Sequence, residues 1–524
     1  MAATRACMTF GAAAALLTVL SAEARAQELR IGIGAEATTM DPHFYNLTPN
    51  IEVNEHIFDY LVHTDAKSQV KPGLALSWSL VNETTWEFKL RPGVVFHDGT
   101  PLKADDVAFT FDRAPKVPNT PASYSQFLRR ITAVTAVDDA TVRVTTDGPN
   151  PMVVRQVSNV AIVSRKHGTG ATTNDYNFGK AAIGTGPYKL AEWVPADRLV
   201  LVRNDNYWGE KPKWSRVTMK PISNATARSA AVLAGDVDLI NFVPSVDIEK
   251  LKKTPSLSVV TEVGSRLFYM MPDVGRAQSP FVTDKAGTPL PKNPLQDVRV
   301  RRALSKAIDR TALVERVMDG AGAIAGQFLP DGSYGVTPKL KPEAYDPEGA
   351  KKLLAEAGYP DGFGLTVHGT NDRYLNDARV VQTVGQMLSR IGITTKVEAL
   401  PKANYFTRAS NRDFSFFLIG TGTNDGETTS LVLYILASYD EKKGLGNGNR
   451  SRYSNPKVDE LIGRSLVEMN ESKREMLLRE ATEIGLGQDQ AIIPMFFEVN
   501  TWALKKGLTY TARTDGRTTA MDVR

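Results

Sequence analysis

The chain has 524 residues, 42% of them hydrophobic and 23% charged, with a formal net charge of +5. This is ordinary globular composition, long enough for two or three domains with a large core, and it excludes a disordered chain. Lys and Arg are scattered singly or in pairs such as Lys252-Lys253 and Arg301-Arg302, which argues against a nucleic-acid binder, because such a protein concentrates them on one face.

Arg5 precedes the apolar run Phe10–Leu20, and Ala24-Arg25-Ala26 supplies a small-residue cleavage pattern. Residues 1–26 are therefore expected to be a secretory signal peptide, with Gln27 the first residue of an exported protein. The run is too short to span a bilayer, and no other stretch approaches about 20 consecutive apolar residues, so no membrane-spanning segment is expected. Cleavage removes Cys7, the single cysteine. The exported chain would have no thiol, disulfide or cysteine metal ligand, and its core must stabilise it. Cys7 sits at the wrong end of the apolar run for a lipoprotein cysteine, which favours a freely diffusing periplasmic protein.

From Gln27 onward, Leu29, Ile31 and Ile33 alternate with polar or small residues and predict a first strand, followed by a loop through Met40-Asp41-Pro42 and a short helix over Ile51–Leu61. In Thr85–Arg91, Trp86, Phe88 and Leu90 alternate with charged residues, as in a strand buried on one face. Pro92-Gly93 turns the chain, Val94–Phe96 is a second apolar run, and Asp105 and Asp106 open a helix that ends at Arg113, both ends suiting the helix dipole. The whole run TWEFKLRPGVVFHDGTPLKADDVAFTFDR closely resembles the signature segment of the family 5 extracytoplasmic solute-binding proteins, the peptide- and nickel-binding group that feeds ABC importers.

Further on, a strand is predicted over Thr141–Thr145 and a helical stretch over Met152–Val157. Gly184-Thr185-Gly186-Pro187 lacks the glycines and the Gly-Lys-Ser/Thr of a phosphate loop, and Pro187 removes a backbone donor, so it reads as a turn. Ser223 is expected to cap a helix to Ala234, with Gly235 as its exit and a strand from Val237. Asp297 and Asp309 cap helices, and Asp346, Pro347 and Gly358 frame another. Strand Gly364–Gly369, helix Asp377–Ile391, strand Ile393–Val397, helix Lys402–Ser410 and strand Phe414–Ile419 then alternate as parallel βαβ units do. Pro456–Gly487 reads as helical and Ile492–Phe497 as a buried strand.

No chemistry stands out. The six histidines lie in separate segments without metal-ligand spacing, and no nucleophile elbow or Walker motif occurs. Neither a metal site nor a cofactor is expected, nor an enzyme. Ligand sites in α/β lobes form where strands end, which singles out the loops Thr370–Asp377 and Gly420–Ser430. By the resemblance, these are the loops with which dipeptide-binding members hold ligand termini. It implies that Arg373 takes a carboxylate and that Asn424, at the position of the ammonium-binding aspartate, is flanked by Asp425 and Glu427, either of which can restore the charge. His43, Tyr45, Tyr405 and Trp502 complete the candidate ligand contacts.

The resemblance, which covers residues 29–505, implies an α/β, two-lobed periplasmic-binding-protein fold of the large, peptide type, with an additional small α+β domain and a hinge. The expected division is lobe I at 27–60, 184–265 and 489–524, the small domain at 61–183, and lobe II at 266–488, with crossings near 265–272 and 488–497. The implied function is that of a periplasmic substrate-binding protein of an ABC importer. It would capture a di- or oligopeptide and deliver it, as a monomer, to the permease's transmembrane subunits. A nickel chelate, opine or saccharide as solute is the near alternative, and a secreted hydrolase the remote one.

Overall fold

The computed structural model describes residues 27–121, 123–423 and 425–524; the expected signal peptide lies outside the described residues. The first strand, Glu28–Ile33, buries Leu29, Ile31 and Ile33, as its alternation requires. It lies in one half of a 12-stranded sheet, parallel to Arg216–Pro221 and Leu239–Asn241, with Arg198–Arg203 and Tyr188–Val194 added antiparallel at the edge. In the other half, Gly364–Thr370 is parallel to both Thr394–Leu400 and Phe416–Thr421, and helices Asp377–Ser389 and Lys402–Ser410 make the crossovers. This is the expected βαβ arrangement.

Two long strands belong to both halves. Leu257–Pro272 and Ile493–Lys505 pair antiparallel from Leu257↔Lys505 to Val263↔Val499, lose register, and resume from Leu267↔Phe497 to Met270↔Ile493. The lobes are thus joined by one shared ladder that is interrupted at Gly264-Ser265-Arg266. The sequence predicts only Ile492–Phe497 of the return strand because Glu498 and Asn500 end the apolar run, yet the pairing continues to Lys505. Beyond the interruption, Phe268 and Met270 enter one core while Leu267, Tyr269 and Met271 enter another on the opposite face. A strand covered on both sides reads as a continuous apolar run.

A separate four-stranded antiparallel sheet, made of Ala75–Asn82, Thr85–Leu90, Thr141–Thr146 and Ile131–Asp138, packs under helix Ala104–Arg113. Phe88, Val107, Phe111, Val142 and Val144 form its core, whereas Trp86 stays half-buried and donates its indole N–H to the Asn150 carbonyl at 3.3 Å. Arg113 does more than complement a helix dipole. Its guanidinium makes a 2.8 Å ion pair with the fully buried Asp41, which ties this small unit to the loop after the first strand.

The helix expected over Ile51–Leu61 spans Thr48–Ile57, with Pro49 in its first turn. Its end is set by the Gly184-Thr185-Gly186 turn. The Gly186 N–H donates to the Ile57 carbonyl at 3.0 Å, and the Thr185 hydroxyl donates to buried Asp59 at 3.0 Å. A Cβ at Gly184 would lie 1.9 Å from the Ile57 carbonyl oxygen, so the turn and the helix end touch backbone to backbone. Two other boundaries shift. Asn224, not Ser223, caps helix Ala225–Ala234, and the helical stretch after Pro456 breaks into Pro456–Ser465 and Glu471–Thr482 because Asn470 caps a new start.

Candidate functional site

A cavity of about 700 Å³ opens between the two halves of the sheet and the small unit. Its floor is the interrupted ladder, with Gly264, Ser265 and Arg266 facing Glu498 and Asn500. Gly422, Thr423, Asp425 and Ser430 form one wall, and Arg129, Met152 and Arg155 of the small unit form the other. The strand Phe416–Thr421 ends at that first wall, so the site lies where parallel strands run out, as α/β architecture favours.

The cavity carries more cations than anions. Arg129, Arg130, Arg155, Arg266 and Lys443 line it, against Asp425, Glu498 and Asp515. Arg266 is paired with Glu498 at 3.1 Å, Arg130 with Asp147 at 2.8 Å, and Asp515 with Arg513 at 2.7 Å. No ion pair to Arg129 occurs among the described residues; its guanidinium lies across the gap from Gly444. Asp425 accepts hydrogen bonds from the hydroxyls of Thr423 and Ser430. Burial, and then the charge of Glu427, raise its pKa above the ordinary aspartate value, against the pull of those hydroxyls. Lys443 is paired with Asp440 at 3.6 Å and Arg155 with Glu427 at 2.9 Å, which leaves Arg129 as the lining cation without a carboxylate among the described residues.

Beside this wall the two sides meet directly. Glu427, 1% exposed, accepts from Arg155 at 2.9 Å and from Arg474 at 2.6 Å, while Arg155 also donates to the Asp425 carbonyl. Arg474 donates at 2.5 Å to the Thr429 hydroxyl and packs on the Met152 sulfur. Burial alone would depress the Arg474 pKa, and Glu427 more than restores it. Arg155 belongs to the small unit and the other two charges to the second half, so any rotation that carries residues 425–430 away from residues 152–155 must break this contact.

The structure scatters the residues singled out by sequence. Asp425 lines the cavity, and Glu427 stands behind it inside the arginine pair. Arg373 lies outside the lining, exposed, with its guanidinium 4.9 Å from the ring centre of Tyr374, whose hydroxyl donates to the Gly420 carbonyl at 3.1 Å. The two expected loops therefore touch through Tyr374. Tyr45 is half-buried next to Asn46, which does line the cavity. Asn424 lies outside the described residues.

His43, Tyr405 and Trp502 are buried in the cores instead of facing the cavity. Trp502 donates to the Thr518 hydroxyl at 3.0 Å, and Tyr405 donates to the Leu418 carbonyl while stacking on Phe414. Each has its polar atom satisfied internally, and none of the three lines the cavity. Arg129, Arg155, Arg266 and Arg474 carried no signal in the sequence, because they lie in segments far apart that only the topology assembles. Among the described residues no group of three or more His, Cys, Asp or Glu side chains is placed to hold a metal, and no helix is long and apolar enough to cross a membrane.

His43 is held neutral. Its Nε2 faces the Ala161 carbonyl at 2.8 Å and its Nδ1 faces Arg113 at 2.8 Å, so one nitrogen donates and the other accepts. Burial, and then the arginine, lower its pKa from 6.5 to about 4, and burial does the same to His97. A folded-state value below the unfolded one means that the unfolded chain binds more protons between the two. Stability is therefore expected to fall as pH drops from about 6.5 towards 4. The urea midpoint should fall over that range, and less steeply in His43→Gln; equal slopes would place the titration elsewhere.

Residues 69–443 match the model of a family described as bacterial extracellular solute-binding proteins, family 5 Middle. The chain is 27% identical over 460 residues to heme-binding protein A of Haemophilus influenzae, covering 82% of this chain and 80% of that protein. It is 27% identical over 511 residues to the glutathione-binding protein GsiB of Escherichia coli K12, covering 96% of this chain and 94% of that one. Among solved structures, the periplasmic murein tripeptide binding protein MppA in its unliganded open form superposes with a TM-score of 0.80 at 25% identity, covering 95% of this chain and 97% of that one.

Proposed function

Since the chain belongs to the family 5 bacterial extracellular solute-binding proteins, a family of binding proteins and not of enzymes, we propose that it is the periplasmic substrate-binding component of an ABC importer and that its solute is a short peptide with a free carboxylate. It is exported by its signal peptide, acts as a monomer, and hands the solute to the permease's transmembrane subunits. The lobes are divided at the interruption of the shared ladder, near Gly264–Arg266 and near Glu498, so that residues 489–497 go with the second lobe and not with the first as expected, and residues 61–183 are the additional domain.

The observation that carries this reading is the surplus of arginine around a cavity of about 700 Å³, which has the volume of a small ligand site. Asp425 is the group for the peptide's amino end. An arriving ammonium would favour its ionised form against the burial that raises its pKa. Arg373 is the rim contact that the loop 370–377 adds. The relatives named for glutathione and for a murein tripeptide support a peptide over a saccharide. Because the walls come from both halves, a solute touching both favours the closed arrangement, and binding shifts the population towards it.

The test is a thermal-shift screen of protein stripped of carried-over solute by unfolding and refolding, against di- to pentapeptides, nickel chelates, opines and oligosaccharides. A ligand at 100 times its dissociation constant adds about 2.7 kcal/mol of stability. Free-acid peptides are expected to raise the melting temperature. A shift by a chelate, opine or saccharide with none by any peptide overturns the peptide reading and leaves the transport class standing.

A further inference from the structure

A second chamber of about 410 Å³ opens off the main cavity and shares Arg266, Gly422 and Ser430 with it. It lies wholly within the second half of the molecule. Phe406 and Tyr434 supply aromatic walls, Ile419–Gly422 runs along one side, and Arg450 closes it. The loop that bears Arg450 is fixed: the Asn449 side chain donates to the Ala437 carbonyl at 2.9 Å and the Tyr453 carbonyl at 2.7 Å, and its oxygen accepts from the Ser451 hydroxyl at 2.9 Å. Gly448 is required there, since a Cβ would come within 2.1 Å of the Tyr434 ring.

Arg450, like the exposed Arg129, has no carboxylate partner among the described residues, but it is half-buried. Its Nε is buried without a hydrogen-bond partner, and among the described residues no ion pair or side-chain hydrogen bond engages its guanidinium. Arg155, Arg266 and Arg474, by contrast, each have a glutamate. A half-buried guanidinium whose Nε is shut off from water and left without an anion is costly to keep, and its place in an aromatic-walled chamber open to the cavity points to an anion from outside.

We infer that Arg450 is the anchor for the solute's carboxylate, and that the solute reaches it by an acid-bearing arm that leaves the main cavity past Arg266 and lies between Phe406 and Tyr434. This rests on the peptide reading above and deepens it. Asp425 then takes the amino end in the main cavity and Arg450 takes the acid end in the side chamber. The solute spans both chambers. Arg373, exposed over Tyr374, contributes less than Arg450.

The experiment uses calorimetric titration of the solute-stripped full-length protein with trialanine and glutathione, each as the free acid and with the C-terminal carboxylate blocked as amide or ester. Wild type is expected to bind the free acids at least about tenfold more tightly than the blocked forms, the worth of one charge-assisted hydrogen-bonded pair. Arg450→Gln should erase that preference and Arg450→Lys should keep part of it, while Arg373→Ala leaves most of it. The melting temperature of ligand-free Arg450→Gln is a second readout. It should not fall, because the substitution removes a half-buried charge that no described residue pairs, whereas an arginine with a structural role would lose stability on replacement. A wild-type preference that survives in Arg450→Gln, or a lowered ligand-free melting temperature, overturns the inference while the peptide reading stands. Binding of neither acid by wild type overturns both.

Discussion

Replacing Glu427 with alanine is expected to cost about 3–5 kcal/mol of stability, the loss typical of a buried ion pair stripped of one partner. The carboxylate is 1% exposed and lies between Arg155 and Arg474, at 2.9 and 2.6 Å, so its removal leaves two guanidiniums side by side without their shared anion. Glu427→Gln should lose most of the same stability, since it keeps the shape and not the charge. Arg155→Met is the informative contrast. It leaves the Glu427–Arg474 pair intact within one half and removes only the link to the small unit, so stability should fall far less while solution scattering reports a larger radius of gyration. Urea midpoints for the three variants test this. A Glu427→Ala midpoint within about 0.5 kcal/mol of wild type, the range of an ordinary surface substitution, would mean that water already solvates these charges.

Gly184→Ala should be at least as damaging, with a loss of at least about 3 kcal/mol, the upper end for forcing one extra carbon into a packed site. The new methyl group would stand 1.9 Å from the Ile57 carbonyl oxygen, and the obstacle is backbone on both sides, so no rotamer change relieves it. The turn would have to leave the end of helix Thr48–Ile57, giving up the Gly186 to Ile57 hydrogen bond and the Thr185 bond to Asp59. Gly463→Ala, inside helix Pro456–Ser465 with open space around it, is the matched control and should gain about 0.5–1 kcal/mol from helix propensity. Soluble yield and denaturant midpoints of both variants decide it; equal midpoints would show that the turn yields freely.

Much of the fold was legible because its signals are local. Alternation located Glu28–Ile33 and Thr85–Leu90, and cap residues such as Asp297 and Asp346 placed helix starts that the structure keeps. The errors fall where a distant partner overrides the local pattern. The return strand runs on to Lys505 because Leu257–Val263 waits to pair with it, and the first helix stops at Ile57 because residue 186 caps it. The candidate site was legible only in part. Loop position led to Asp425, whereas Arg129, Arg155, Arg450 and Arg474 lie far apart in the chain, and no periodicity marks which of them face one space. His43, Tyr405 and Trp502 show the converse, since a polar aromatic near a strand end looks alike in sequence whether its partner is a ligand or a buried carbonyl.

The position of Ile493–Lys505 also governs the order in which the molecule is built. This strand lies between Leu239–Asn241 and Leu257–Pro272, so the central ladder of both halves needs a segment that arrives almost last. A ribosome supplies residues from the N-terminus, so until position 505 emerges Leu239–Asn241 can pair only with Glu28–Ile33, and Leu257–Pro272 only with Phe416–Thr421. The join between the two halves is therefore the step that synthesis completes after the strands on either side of it.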